Sequence, residues 1–424
     1  MLRLLGIGVR GLEPRASWPP SRHSTKLSYT PLARGIILHP MAISTSASKA
    51  KHAQSRSGPT KSECPTRTAT AALLAWFRAN RRPLPWRTAW RDPYRVLISE
   101  VMLQQTQVAT VVPYYLRWVE RFPTLEALAA ADESEALALW SGLGYYGRAR
   151  RLHSVARAIV SAGLPGLPAD LAGLRALPSI GAYTAGAIMA IAHNQRTPAV
   201  DGNVTRVLSR VDALSDAGPA ALNRSVEVAW LRLAPRRAMR HYAEALMELG
   251  ATVCSPTAPD CVLCPLAGIC LAKAGGDPTA YPAPVKRSVT TAVVHACALV
   301  RQDDAVLLTR QTQPGLWHGM LEMPRTEVQD DEAPQDAAAR ALLAVTGLHG
   351  HLARALPTVR HSVTRFRVTL HPFEFSLTEP PPVSASGPAL WVQVSSLASA
   401  PLPAPQRRVL ASALGVAAGV PHVC

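Results

Sequence analysis

Between residues 68 and 272, apolar positions recur at helical spacing and are broken by short Gly/Pro stretches. The segments "FPTLEALAAADESEALALW", "RRLHSVARAIVSAG", "YTAGAIMAIAH" and "HYAEALMELGATVC" predict helices, punctuated by Pro123, Pro165, Pro168, Pro178 and Pro198. "SEVMLQQTQV", from Ser99 to Val108, continues the apolar run Val96, Leu97 and Ile98. It carries no turn residue and predicts one helix throughout. The segment "KAGGDPTAYPAPVKRS" reads as a linker, and the period then changes. "TAVVHACALV", "AVLLTR", "RFRVTLHPFEF" and "ALWVQV" have strand character, and "PQDAAARALLAVTG" predicts one helix. The pattern gives a mainly α domain over 68–272, a linker over 273–288 and an α+β domain over 289–424, with no internal repeat.

One residue breaks the pattern of the first domain. Glu100 lies a helical turn after Val96 and Leu97 and beside Leu103, so an acid falls among aliphatics. It is either a solvated surface acid or an acid placed to do chemistry.

Charge changes the picture next. The 424 residues carry a formal net charge of +17, which points to a polyanion, nucleic acid ahead of an anionic membrane. About half of the excess belongs to residues 1–67, which are Ser-, Thr- and Pro-rich with Glu13 and Glu63 as their acids. That extension reads as disordered, with a transit peptide as the alternative. No apolar run reaches the roughly 18 residues of a membrane span. The expected setting is therefore the cytoplasm, bacterial and nucleoid-associated, with organellar targeting as the alternative.

The chain has 7 cysteines, an odd count with four of them clustered, which argues for a reducing compartment and a metal site. Cys254, Cys261, Cys264 and Cys270 follow C-x6-C-x2-C-x5-C. Four thiolates at such spacing can close around one metal centre, and zinc accepts the same ligands. This spacing resembles the [4Fe-4S] loop of the endonuclease III superfamily of DNA glycosylases. Cys64, Cys297 and Cys424 are isolated and read as unliganded.

"LPSIGAYTAGAI" places a tight turn, Pro178 to Gly181, before an Ala-rich helix. Free N–H groups at a helix start bind phosphate. Asp201 follows in "AVDGNVTRV". Together these resemble the helix-hairpin-helix and Gly/Pro-Asp motif of the same superfamily, with Ser179 where the family usually has Gly. The superfamily's bifunctional members carry a Schiff-base Lys at the position of Tyr183. A phenol forms no imine, so the resemblance implies base removal by water.

"LPWR", "SEVMLQQTQV", "GLGYYGRARRLH", "VDGNVTRV" and "EALMELGATVC" resemble the adenine DNA glycosylases (MutY family) in particular, over residues 70 to 272. The resemblance implies a helix-hairpin-helix glycosylase fold of two helical subdomains with an iron–sulfur loop. It makes Glu100 the catalytic acid and Asp201 the second carboxylate, with Tyr183 and Asn203 supporting the transition state. Trp86, Arg87 and Glu244 line an adenine pocket; Gln105 and Tyr146 act where the flipped base was. Gly181 and Arg148 meet the DNA backbone. The chemistry agrees. Adenine leaves well only when protonated, which a buried carboxyl group near neutral pH can supply. The sugar cation needs an ionised carboxylate, which exposure and hydrogen bonding at Asp201 favour.

"AVLLTRQTQPGLWHGMLEMP" resembles the Nudix-like domain with which these enzymes read 8-oxoguanine. The helix "QDAAARALLAVTG" lacks the glutamates that would hold Mg²⁺, so recognition rather than hydrolysis is expected. The reader loop departs from the family's His-x-Phe-Ser-His. Here it is "HSVTRF", with Thr364 offering a hydroxyl and Arg365 a donor. The expected partner is duplex DNA with 8-oxoguanine:adenine or guanine:adenine mispairs, bound by a monomer. Two rivals stand beside this reading, an endonuclease III-like glycosylase/lyase and a non-catalytic iron–sulfur DNA-binding protein.

Overall fold

The computed structural model describes residues 65–215, 218–283, 290–313, 315–347, 349–363, 365–377 and 389–415. The first helix, Pro65–Asn80, starts slightly before the boundary expected at 68. Helices then alternate with short connections to Leu271–Ala274. Their apolar faces share one core, in which Trp118 meets the Trp140 ring edge-to-face at 5.3 Å and Trp86 meets Tyr115 at 5.2 Å.

Three helix starts position the site, each fixed by its own sequence. Asp92 accepts from the Tyr94 N–H at 2.9 Å with Pro93 at the first position, opening the helix Pro93–Leu103. Asp170 caps Leu171–Ala176, accepting from the Gly173 N–H at 2.8 Å. Asp201 caps Gly202–Val211, accepting from the Val204 N–H at 2.7 Å. In the hairpin between Leu171–Ala176 and Ala182–Ala187, Ser179 takes a left-handed φ of 63°, a conformation that glycine adopts without strain.

Two glycines permit close backbone approaches. A Cβ on Gly186 would stand 2.0 Å from the Pro198 carbonyl oxygen, and one on Gly250 would stand 2.6 Å from the Asn203 Cβ. The second contact is where the helix Met239–Thr252 crosses the start of Gly202–Val211. The predicted helix "YTAGAIMAIAH" widens after Ala187 into a π turn, Ile188–Ala192.

"SEVMLQQTQV" is two helices, not one. The first ends at Leu103, Gln105 turns left-handed at φ 57°, and the next helix begins at Val108. No glycine or proline marks the break; the grip of Arg148 on the ending carbonyls, described below, holds it.

The second part is an 8-stranded mixed sheet. Strands β1 (Thr291–Gln302), β2 (Ala305–Arg310), β3 (Leu321–Glu322), β4 (Arg325–Glu327), β5 (Gly350–Ala355), β6 (Val359–Val363), β7 (Phe366–Leu377) and β8 (Ala389–Gln393) run in chain order. β1 and β7 pair in parallel at its centre. The helix Pro334–Thr346 packs with one apolar cluster of the sheet and Ala404–Leu414 with another. Covered on both faces, β1 is continuously buried from His295 to Val300. The expected reader loop is the tip of the β6–β7 hairpin, where Val363 pairs with Phe366. Thr364, the residue expected to read the lesion, lies outside the described residues.

Candidate active site

A cleft of about 960 Å³ opens between the helices. Glu100, Tyr183, Asp201 and Asn203 line it, as do Trp86, Arg87, Gln105 and Glu244. Residues expected from five separate motifs thus meet in one cavity.

Glu100 sits on the buried side of Pro93–Leu103 and is 6% exposed. It lies in the second half of that helix, toward the negative end of the dipole. The Tyr183 hydroxyl donates to its Oε2. Burial, with the charges of Asp201 and Glu244, pushes the Glu100 carboxyl up to about 7, against the Tyr183 hydrogen bond and Arg87, which favour ionisation. Burial, then the charges of Glu100 and Asp201, hold the Tyr183 phenol well above its ordinary value, so it keeps its proton.

Asp201 is less exposed than its Gly-Asn context suggests. As a helix cap packed inside the cleft, it has its carboxyl raised by burial, while the Val204 N–H and Asn203 favour the ionised form. The Asn203 side-chain amide donates to Asp201 Oδ2 at 3.1 Å, and Arg206 donates to Asn203 Oδ1 at 2.8 Å. Arg206 also holds the carbonyls of Gly250 and Cys254, each at 2.8 Å. The cysteine loop is thereby tied to the carboxylate. Sequence reading missed Arg206, although it stands three residues after Asn203 on one helix face.

Glu244 does not pair with nearby Arg240. Arg91 Nη2 contacts both its oxygens, at 2.9 and 3.1 Å, and Arg240 binds the carbonyls of Ile191 and Ala192 instead. Glu248 pairs with Arg82 at 2.8 Å and Arg87 at 2.9 Å. Burial alone would raise Glu248; the two arginines outweigh it and bring the carboxyl down to about 2. This network anchors the "LPWR" segment to Met239–Thr252. Arg91, Arg82 and Glu248 carried no local signal, because their partners are distant in sequence.

A second cleft, about 650 Å³, lies between the helical part and the sheet. Gln104 and Gln105 line both clefts. Trp317, His361 and Ser362 line the second on the sheet side. Tyr146 lines this cleft as well, with most of its side chain buried. Its ring packs with Trp317, and its buried hydroxyl accepts from the Gly142 N–H at 3.4 Å. Tyr145, also in the lining, is 38% exposed and is the more exposed of the two. Arg148 departs from its expected place at the DNA backbone. It is 3% exposed and donates to backbone carbonyls, so it is unavailable to a phosphate. Gly181 does stand exposed at the start of Ala182–Ala187.

Cys254, Cys261, Cys264 and Cys270 line one small cavity. Among the described residues no three His, Cys, Asp or Glu side chains converge as a site for one metal ion. Arg210 donates to Cys254 Sγ at 3.3 Å, and its backbone carbonyl faces Cys270 Sγ at 3.3 Å. Burial pushes the Cys264 thiol up to about 11, and the neighbouring cysteines add to this. A thiol set with such mutual repulsion ionises readily only against bound cations.

Comparison with known proteins bears on what the cleft does. The family model described as HhH-GPD superfamily base excision DNA repair protein matches residues 98–231, and the NUDIX domain model matches 295–412. The adenine DNA glycosylase of Mycobacterium tuberculosis (strain ATCC 25618 / H37Rv) is 42% identical over 211 residues, covering 50% of this chain and 69% of that protein. The chain belongs to the adenine DNA glycosylase family. The Homo sapiens adenine DNA glycosylase is 45% identical over 212 residues, 48% of this chain and 39% of its own length. The Arabidopsis thaliana relative is 34% identical over 319 residues, 66% of this chain and 50% of that one. The chain thus spans about two fifths of the human family member.

Proposed function

We propose that this chain is a monofunctional adenine DNA glycosylase that removes adenine paired with 8-oxoguanine or guanine in duplex DNA. The observation that carries the reading is the buried Glu100, hydrogen-bonded by Tyr183, in one cleft with the helix-capping Asp201. Glu100 holds a proton near neutrality and gives it to a ring nitrogen of adenine. The C1′–N bond then breaks and adenine leaves with the bonding electrons. Asp201, whose hydrogen bonds from Val204 and Asn203 favour the carboxylate against burial, faces the oxocarbenium-like sugar. Water adds at C1′ and its proton passes to a carboxylate. Tyr183 offers no amine, so no imine forms and the strand stays intact.

The target adenine must leave the stack, and Gln105, which lines both clefts, together with Tyr145, which lines the second, suits that task. The partner base would lie against the sheet domain, where Thr364 and Arg365 take the reader role. The bounds 68–272 and 289–424 belong to this reading, as do a monomeric state and a nucleoid setting. Among the described residues no helix is long and apolar enough to cross a membrane. The four cysteines would hold a [4Fe-4S] cluster, whose iron–thiolate bonds lock the loop that Arg206 ties to Asp201.

Single-turnover assays on duplexes with adenine opposite 8-oxoguanine, guanine and cytosine test the reading. Expected is release opposite 8-oxoguanine, slower release opposite guanine and none opposite cytosine, with Glu100→Gln inactive but still binding. A borohydride-trapped protein–DNA adduct would instead favour the lyase, and full activity of the Glu100→Gln variant would sink the mechanism.

A further inference from the structure

Arg148 is the second residue of the helix Gly147–Ser161, and its guanidinium is buried with no carboxylate among its hydrogen-bond partners. Nη1 donates to the carbonyls of Val101, Met102 and Gln104 at 3.1, 2.7 and 2.5 Å. Nη2 donates to Thr106 Oγ1 at 3.0 Å and to the carbonyls of Leu143 and Gly144 at 3.3 and 3.1 Å. The Trp140 and Tyr145 rings each lie 5.3 Å from its carbon centre. Helix-end carbonyls lack partners of their own and carry the negative end of the dipole, which makes them a place for an unpaired cation.

The grip joins two segments that sequence keeps far apart. One is the turn after the Glu100 helix, where Gln105 is left-handed at φ 57°. The other is the loop before Gly147–Ser161, where Tyr145 is left-handed at φ 52°. Both are non-glycine residues in a conformation that L side chains resist, and both line the second cleft. Such strain persists only where surrounding bonds over-determine it, and one guanidinium supplies bonds to both segments.

We propose that Arg148 is a positioning residue for base extrusion, fixing Gln105 and Tyr145 as one rigid wedge against the duplex. This rests on the glycosylase reading. Arg148 touches neither the reacting bond nor Glu100, so its contribution falls on flipping and not on bond cleavage. Extrusion costs least for an unpaired base. Arg148→Lys keeps the charge but a single ammonium cannot span six acceptors on two segments.

The test compares excision of adenine paired with 8-oxoguanine against adenine opposite an abasic site. Arg148→Lys should slow the first about ten-fold, by loosening the wedge, and the second less than about two-fold. Thr106→Val removes one acceptor while sparing the rest. It should shift the same ratio in the same direction by a smaller factor, and it keeps the test open if the lysine variant fails to fold. Equal losses on both substrates, or no loss on either, overturn the proposal. A wild-type protein that releases no adenine from either duplex overturns the glycosylase reading, and this inference with it.

Discussion

At the scale of single residues, the cleft turns on how far each carboxyl group is kept from water. Glu100 lines the cleft with Val96 and Leu103, and burial raises it to about 7. The folded protein then binds a proton that the unfolded chain has released above about pH 4.3. Stability contributed by neutral Glu100 is therefore present at low pH and lost as pH rises through about 7. Two outcomes follow. Excision should decline above about pH 7 as the acid loses its proton, read from single-turnover rates against pH. Glu100→Gln, which needs no proton to stay neutral, should melt higher than wild type at pH 8, by an amount of order 3 kcal/mol, and about level with it at pH 4. A variant that melts lower at pH 8 would contradict the burial argument. The role of Glu100 came with the family resemblance, while its place among aliphatics was legible from the spacing of Val96, Leu97 and Leu103. Tyr145 was not, because helical periodicity gives no reason to prefer one of two adjacent tyrosines at a loop.

At the scale of elements, the site depends on where helices cross. Gly250 lets Met239–Thr252 come against Asn203, and Asn203 in turn holds Asp201. Gly250→Ala puts a methyl group into that crossing. It should cost about 1–3 kcal/mol by overpacking and should also lower excision by displacing Asn203. Thermal melting alongside single-turnover rates checks this; a melting change with an unaltered rate would show that Asn203 does not depend on the crossing. The caps at Asp92, Asp170 and Asp201 could be read locally, since an Asp ahead of a helical run acts within three residues. The break after Leu103 could not. It is held by Arg148, whose partners Met102 and Gln104 lie more than forty residues earlier.

At the scale of the molecule, the sheet domain is bonded to the helical part beside the second cleft. Arg407 donates to Ser141 Oγ at 3.1 Å, and Ser141 Oγ donates to the Leu402 carbonyl at 2.8 Å. Trp317, left-handed at φ 61°, packs with Tyr146, Met320 and Val368, with Arg325 over its ring at 4.9 Å. Trp317→Ala should loosen this seam without touching the first cleft. The expected outcome is a smaller ratio of excision rates opposite 8-oxoguanine and opposite guanine, with the rate opposite guanine nearly unchanged. An unchanged ratio would mean that the seam does not carry recognition of the partner base. Net charge predicts binding to a polyanion but says nothing of this seam.

The sequence by itself determined the helical and mixed α/β parts, the aspartates that cap helices and the cysteine spacing. Each depends on propensity, period or short spacing, which act over a few residues. Only the tertiary structure decided which cation meets which acid, as with Arg91 and Glu244, 153 positions apart. It also decided that Arg148 is buried, that Tyr145 is the more exposed of the two tyrosines lining the second cleft, and that Asp201 is enclosed. A side chain's partners come from the crossing of distant segments, and residue type alone does not say whether an arginine reaches a phosphate or six acceptors of its own chain.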